Sequence, residues 1–326
     1  MRIKKTLQPL EYKGNIIFGA GNKNIVRHIP NTKINRLLIQ YLDGQIKRSE
    51  LEISDSELEI ALGKFKKLGL LTNNPYNSSD RYSRNANFFE WLDTTSNLDP
   101  FVYQKRLESS VVLIIGLGGI GSTVAEELVR SGVKNLVLVD YDSVDESNIS
   151  RQSTYCNADV GTLKIKACAS YLKKIDNKLS IETINKKICT IDDLKEMVSQ
   201  DINLIINCAD TPKEIDIWAD KVSSELKIPV VFGSYASTTI NTIAKIPDYS
   251  VDIKDFLASN AITSESIIST DFDTAVISPV TFMAAGMVGY YAVMILTKLR
   301  RPSTAIQIDL DGWEVLKYDI RAAAKD

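Results

Sequence analysis

The chain is expected to fold as an α/β protein with a doubly wound, Rossmann-like sheet that carries a nucleotide site, preceded by a small winged-helix-like domain. Between residues 111 and about 246, short apolar runs alternate with amphipathic helical stretches, as in a parallel sheet covered on both faces. One apolar run, 111–115, leads into Gly116-Leu-Gly-Gly-Ile-Gly121. In such a turn Gly116 permits the tight bend, Gly118 and its neighbour Gly119 admit a phosphate to the backbone, and Gly121 allows close helix packing. Asp140 lies 19 residues beyond Gly121, where a ribose-binding carboxylate is expected.

Taken in order, residues 1–75 read as the small domain. Strand-like runs at 12–18 and 25–29 flank Gly19-Ala-Gly-Asn22, and two helices follow. Asn31 is placed to cap the first, which presents Ile34, Leu37, Leu38 and Tyr41 on one face and stops at Gly44. The second runs from about Ser54 to Gly69 with Leu58, Ile60, Ala61, Phe65 and Leu68 on its apolar face. Its charge is mixed, which favours peptide capture over reading DNA. Residues 76–110 are a polar linker and an arginine-bearing segment, Arg81-Tyr-Ser-Arg84-Asn85, and then a helix from Pro100.

The second domain spans 111–326. Strands are expected at 111–115, 135–139, 181–185, 202–207 and 229–233, with helices at about 122–132, 162–176, 191–199 and 213–226. Residues 248–278 show little periodicity and are expected to be a mobile crossover. A long helix starts near Pro279 and is apolar nearly all round, so it is expected to be a core or dimer helix. Strand-like runs at 305–310 and 313–318 end the sequence.

Composition narrows the function. Lys plus Arg is 39, Asp plus Glu is 41 and the net charge is −2, which gives no bulk attraction to nucleic acid or to a membrane surface. The N-terminal residues lack the pattern of a secretory signal, so a cytoplasmic location is expected. Four cysteines are widely spaced, with no Cys-x-x-Cys pair to hold zinc, and the one histidine, His28, lies far from the glycine turn. A Ser-His-Asp or Cys-His catalytic site is not expected.

The residues after Asp140 suit a triphosphate. Asn148, Arg151 and Gln152 follow the second core strand, and Lys164 opens the next helix. Arg151 offers a planar donor fork and Lys164 a compact charge, complementary tools for phosphate oxygens. Asp210 ends the fourth core strand, at the carboxyl edge where ligands sit in such sheets, and a lone carboxylate there suits magnesium.

Together these residues resemble the adenylating enzymes that activate ubiquitin-like proteins and sulfur carriers, the ThiF/MoeB/HesA family. The matching pieces, over residues 81 to 246, are Arg81-Tyr-Ser-Arg84, the 116–121 glycine turn, Asp140-x-Asp142, Asn148-x-x-Arg-Gln152, Val160-Gly-x-x-Lys164 and Asp210. Within the family the chain is most similar to the branch that adenylates the microcin C precursor peptide, with the related pantocin branch beside it. The resemblance implies ATP and Mg2+ as cofactors and a precursor peptide as partner. It assigns the ribose to Asp140, the phosphate side to Asp142, Asn148 and Gln152, the phosphates to Arg151 and Lys164, and magnesium to Asp210. It further implies a homodimer in which Arg84 reaches the other subunit's ATP. The family's two zinc-binding Cys-x-x-Cys pairs are missing here, so no zinc is expected. The expected reaction is adenylation of a peptide carboxylate, at a C-terminus or on a Glu or Asp side chain, in the biosynthesis of a ribosomal peptide antibiotic. A sulfur-carrier adenylyltransferase is the alternative, and a non-catalytic peptide-binding partner the alternative from another class.

Overall fold

The computed structural model describes residues 1–74, 80–95, 98–260 and 275–322, with the backbone alone for 257–260. The expected linker and crossover fall partly outside these residues. The chain divides into two units, Met1–Lys105 and Arg106–Asp326.

In the first unit, β1 (Arg2–Ile3) is followed by β2 (Leu10–Tyr12), β3 (Asn15–Phe18) and β4 (Arg27–Pro30), which form a three-stranded antiparallel sheet in the order β2-β3-β4. The expected single strand at 12–18 is instead a hairpin. Lys13 and Gly14 both take positive φ, 46° and 75°, the two-residue turn that matches strand twist. Helix α1 (Lys33–Leu42) is capped by Thr32, not Asn31, whereas α2 (Asp55–Lys67) begins at Ser54 with a capping box to Glu57. β5 (Leu71–Thr72) returns beside β1, and α3 (Ser83–Leu92) buries Phe89 and Leu92. α4 (Pro100–Ser109) leads out of this unit.

The second unit is built on one eight-stranded sheet. Its parallel part comprises β6 (Val111–Ile115), β7 (Asn135–Val139), β8 (Ser180–Ile184), β9 (Ile202–Asn207) and β10 (Val230–Ala236), and the crossover helices are α5 (Gly119–Ser131), α6 (Lys164–Ile175), α7 (Ile191–Met197) and α8 (Ile215–Leu226). Helix α5 starts three residues earlier than expected, because the glycines that mask a helix in the sequence are its first turn. The order β8-β7-β6-β9-β10 reverses beside β6, so the carboxyl ends of β6 and β9 frame the crevice where ligands bind in open α/β sheets.

Beyond β10 the sheet turns antiparallel, so the parallel pattern expected over 111 to about 246 ends at that strand. β11 (Thr239–Lys245) pairs with β10, then β12 (Thr304–Asp309) and β13 (Glu314–Asp319) extend the edge. Two further elements depart from the expected pattern. β11 has a half-buried alternation whose polar residues Thr239, Asn241 and Thr242 hide a strand, and α9 (Ile253–Asn260) occupies the start of the expected crossover. Lys245, almost fully buried, donates to Asp252 and to the carbonyl oxygens of Ser250 and Val251, and so fixes the approach to α9. Helix α10 (Ser278–Thr297), with proline in its first turn, is long and apolar enough to cross a membrane by length and composition. It packs on α5, β10 and β11, where Gly233 has no room for a methyl against Val288. Its other face leaves Phe282, Met283 and Tyr290 exposed.

Candidate active site

A cavity of about 650 Å³ lies at the carboxyl edge of this sheet, within the second unit. Its base is the glycine turn. Gly116 takes φ +82° and its amide donates to the Val139 carbonyl, tying the turn to β7. Tyr155 Oη donates 2.9 Å to the Leu117 carbonyl from the other side. A methyl at Gly121 would stand 1.9 Å from the Gly116 carbonyl oxygen, so the close helix approach depends on that glycine. Gly118 differs, with φ −76° and open space around it. No side chain caps α5, so its first amides are left for an anion in the cavity that Gly118 and Gly119 line.

Asp140, at the end of β7, is nearly buried. Its Oδ2 accepts from the Leu117 amide at 2.6 Å and its Oδ1 from the Asp142 amide at 2.8 Å. Burial pushes its carboxyl above the ordinary range, more than these bonds and Lys164 pull it down. Lys164 opens α6 almost fully buried, with Nζ 2.9 Å from Asp142 Oδ2 and its amide donating to the Asp142 carbonyl. Arg151 lines the cavity, its Nη1 held 2.9 Å from the Ser147 carbonyl, while its own carbonyl accepts from Thr281 on α10.

Gln152 lies beside it, 4% exposed, and its Oε1 is buried with no hydrogen-bond partner. Asn148 is placed differently. Its Oδ1 accepts from the Asp145 amide within the same helical turn, so it braces the loop and is not part of the cavity lining. Asp210 lies exposed on the cavity wall beyond β9. The structure therefore gathers Gly116, Gly118, Gly119, Asp140, Asp142, Arg151, Gln152, Lys164 and Asp210 around one space, with Gly121 packed behind the turn. Arg84 belongs to the first unit, exposed on the first turn of α3.

Several lining residues were not legible in advance. Asp216, in the first turn of α8, lines the wall near Asp210. Its Oδ1 accepts 2.7 Å from Nδ2 of the buried Asn207, and burial, with Asp210 nearby, raises its carboxyl above the usual range. Lys186 lines the opposite side, paired to Asp193 and Glu196 at 2.8 and 2.9 Å. Farther along, Ser234, Asn241 and Gln307 stand opposite one another across β10, β11 and β12, an uncharged polar row. Phe256 of α9 meets Tyr318 edge-on at 5.8 Å beside it. Two of the four cysteines offer little nucleophilic character, since burial pushes the Cys168 thiol up to about 12 and also raises that of Cys208, which lines the cavity.

Residues 82–326 match the ThiF family. The molybdopterin-synthase adenylyltransferase of Haemophilus influenzae is 25% identical over 218 residues, which cover 67% of this chain and 87% of that protein. Among solved structures, E. coli MccB with AMPCPP and selenomethionine MccA superposes with a TM-score of 0.81 at 20% identity, covering 99% of this chain and 97% of that one. PaaA superposes with a TM-score of 0.77 at 24% identity, over 98% and 100% of the two chains.

Proposed function

The chain belongs to the ThiF family, and from that premise we propose that it is an ATP-dependent adenylyltransferase that activates a carboxylate of a precursor peptide in the making of a ribosomal peptide antibiotic. The observation that carries the reading is the single cavity in which an uncapped helix start and glycine turn, two cations and an exposed carboxylate converge. An anion of the size and charge of a triphosphate meets the α5 amides, Arg151 and Lys164 there, and Asp140 stands ready for ribose. Asp210 is the assigned ligand of magnesium, which when bound neutralises phosphate charge and orients the leaving group. Asp210 and Asp216 supply carboxylate oxygens, which suit a hard cation.

In this reading an oxygen of the substrate carboxylate attacks the α-phosphorus. The bond from that phosphorus to the bridging oxygen breaks, pyrophosphate departs, and a mixed carboxylic-phosphoric anhydride remains. The residues named hold and neutralise, which is sufficient chemistry for such a step. The uncharged row of Ser234, Asn241 and Gln307, with Phe256 and Tyr318 beside it, offers the rest of the cavity to an acyl substrate. The first unit, with its three-stranded sheet and the helices α1 and α2 that follow it, is assigned to grip the peptide. A homodimer through the exposed apolar side of α10, with Arg84 contributed to the other subunit's nucleotide, completes the proposal.

The overall likeness to MccB, solved with MccA, supports the peptide as substrate. Likeness in sequence to the molybdopterin-synthase adenylyltransferase favours a second reading, activation of a sulfur-carrier protein. Isotope exchange between pyrophosphate and ATP separates the two. Exchange driven by peptides encoded beside this gene supports the first reading, exchange driven only by a sulfur-carrier protein supports the second, and ATP binding without any exchange would leave a binding protein.

A further inference from the structure

Three elements meet behind the phosphate end of the cavity: the glycine turn that opens α5, the loop that carries Arg151, and the first turn of α10. Thr281, fully buried, is where they touch. Its Oγ1 lies 3.0 Å from the Arg151 carbonyl oxygen and 3.0 Å from that of Ser278, so one hydroxyl proton is shared between the loop and the helix's own first turn. Among the described residues no other donor reaches the Arg151 carbonyl. The same side chain meets Gly119. A Cβ there would stand 2.8 Å from Thr281 Cγ2, 3.1 Å from Thr281 Cβ and 3.5 Å from the Arg151 carbonyl oxygen. The room that Gly119 leaves on this side is therefore taken up by α10.

That meeting point bears on where the Arg151 guanidinium sits. Its Nη1 is held by the Ser147 carbonyl at 2.9 Å, and the Arg151 amide donates 3.1 Å to the Asn148 carbonyl. Both partners belong to the helical turn Glu146–Ser150, so they shape the loop without tying it to the glycine turn. The ties to that turn come from farther along. Ser153 Oγ lies 3.1 Å from Thr123 Oγ1 on α5, Tyr155 Oη donates to the Leu117 carbonyl, and Thr281 joins Arg151 to Gly119. The last of these acts on the backbone of Arg151 itself. We propose that Thr281 is a positioning residue for the nucleotide's phosphates: by fixing the Arg151 carbonyl against Gly119, it sets the spacing between the Arg151 guanidinium and the first amides of α5, which must meet one anion together. The proposal rests on the functional reading above for a phosphate-bearing nucleotide in the cavity.

The test removes the hydroxyl and keeps the bulk. Thr281→Val leaves the Arg151 carbonyl without its donor in a side chain of nearly the same shape. Measured by calorimetry, its affinity for ATP should fall about tenfold or more, as a misplacement near 1 Å would cause, whereas adenosine, which offers Arg151 no phosphate, should bind as it does to wild type. Thr281→Ser, which retains the hydroxyl, should keep wild-type affinity for both. A threonine that only stabilises α10 would lower Tm in Thr281→Val without separating ATP from adenosine, and that outcome overturns the proposal, as does a serine variant as weak as the valine. Should Thr281→Val not fold, Gly119→Ala probes the same contact from the other side. Its added carbon presses on Thr281 Cγ2, so ATP affinity should fall and be regained when Thr281→Ser removes that atom. A double variant that binds no tighter than Gly119→Ala overturns the proposal. Wild-type protein that binds no ATP overturns the functional reading and this proposal together, whereas ATP binding that is equal in wild type and Thr281→Val overturns the proposal alone.

Discussion

Gly121 and Gly118 sit three residues apart in one turn, yet they should fail in different ways when a methyl group is added. At Gly121 the new carbon would lie 1.9 Å from the Gly116 carbonyl oxygen, 3.0 Å from that carbonyl carbon and 3.4 Å from Cys208 Cβ. Backbone cannot rotate aside as a side chain can, so the start of α5 must retreat from β6 by more than about 1 Å to regain ordinary contact. Overpacking of this kind costs about 1–3 kcal/mol, and in a unit of this size each kcal/mol lowers Tm by about 2–4 °C. Gly121→Ala should therefore melt about 2–12 °C below wild type. Its displaced helix amides should bind ATP at least about tenfold more weakly, since misplacement by 1 Å is enough to cost that much. At Gly118 nothing lies within 4 Å and φ is −76°, a backbone that alanine adopts freely. Gly118→Ala should keep its Tm within about 1 °C, yet still lose about tenfold in ATP affinity, because the space it fills is the ligand's. Thermal unfolding and calorimetry on the two variants decide the matter. Unchanged ATP affinity in Gly118→Ala would refute the placement of phosphate at the turn, and unchanged Tm in Gly121→Ala would refute the close helix approach.

Other expected outcomes follow from the same geometry. Lys164→Met should weaken ATP binding about tenfold or more, because it removes a charge-assisted contact, and should change Tm little, because the Asp142 partner is half-exposed. Glu127 on α5 faces Gly289 of α10, where an added methyl would stand 2.3 Å from its Oε2, and burial followed by Glu126 raises its carboxyl to about 7. A carboxyl raised in the folded state binds protons that the unfolded chain has released. The stability it lends is present below about 4.5 and is lost as pH rises through about 7, so Tm should fall across that window and fall less steeply in Glu127→Gln. For the proposed dimer, inactive Arg84→Ala and Lys164→Ala proteins should regain exchange activity when mixed. Mixtures that stay inactive would count against sharing of Arg84 between subunits.

The central parallel strands were legible because they are buried on both faces and read as unbroken apolar runs such as Val111–Ile115, whereas β8 at the sheet's edge is largely exposed. The antiparallel half was less so. In β11 the polar residues Thr239, Asn241 and Thr242 break the apolar pattern and no strand was expected there, although the burial alternates along it as a half-covered strand requires. A similar limit applies to the site. Arg151, Lys164 and Asp210 were found by chemistry and by spacing relative to the glycine turn. Asp216 carried no such signal, since its place in the cavity comes from α8 docking over Asn207, a tertiary fact without a local pattern. Asn148 shows the converse, for its side chain was expected on the phosphate side and closes its own backbone turn. The Lys13-Gly14 turn was present in the sequence as a glycine after a lysine, but the apolar residues on either side masked it as one strand.

The central claim is that a peptide carboxylate attacks the α-phosphorus of ATP, and the position of one oxygen atom tests it. A peptide that drives pyrophosphate exchange is synthesised with its reacting carboxylate labelled with heavy oxygen, turned over with ATP, and the released nucleotide is weighed by mass spectrometry. The account predicts AMP carrying one labelled oxygen on its phosphate, because the carboxylate oxygen bonded to phosphorus stays with it when the acyl carbon is later attacked. Unlabelled ADP together with labelled inorganic phosphate would place the attack at the γ-phosphorus and contradict the account.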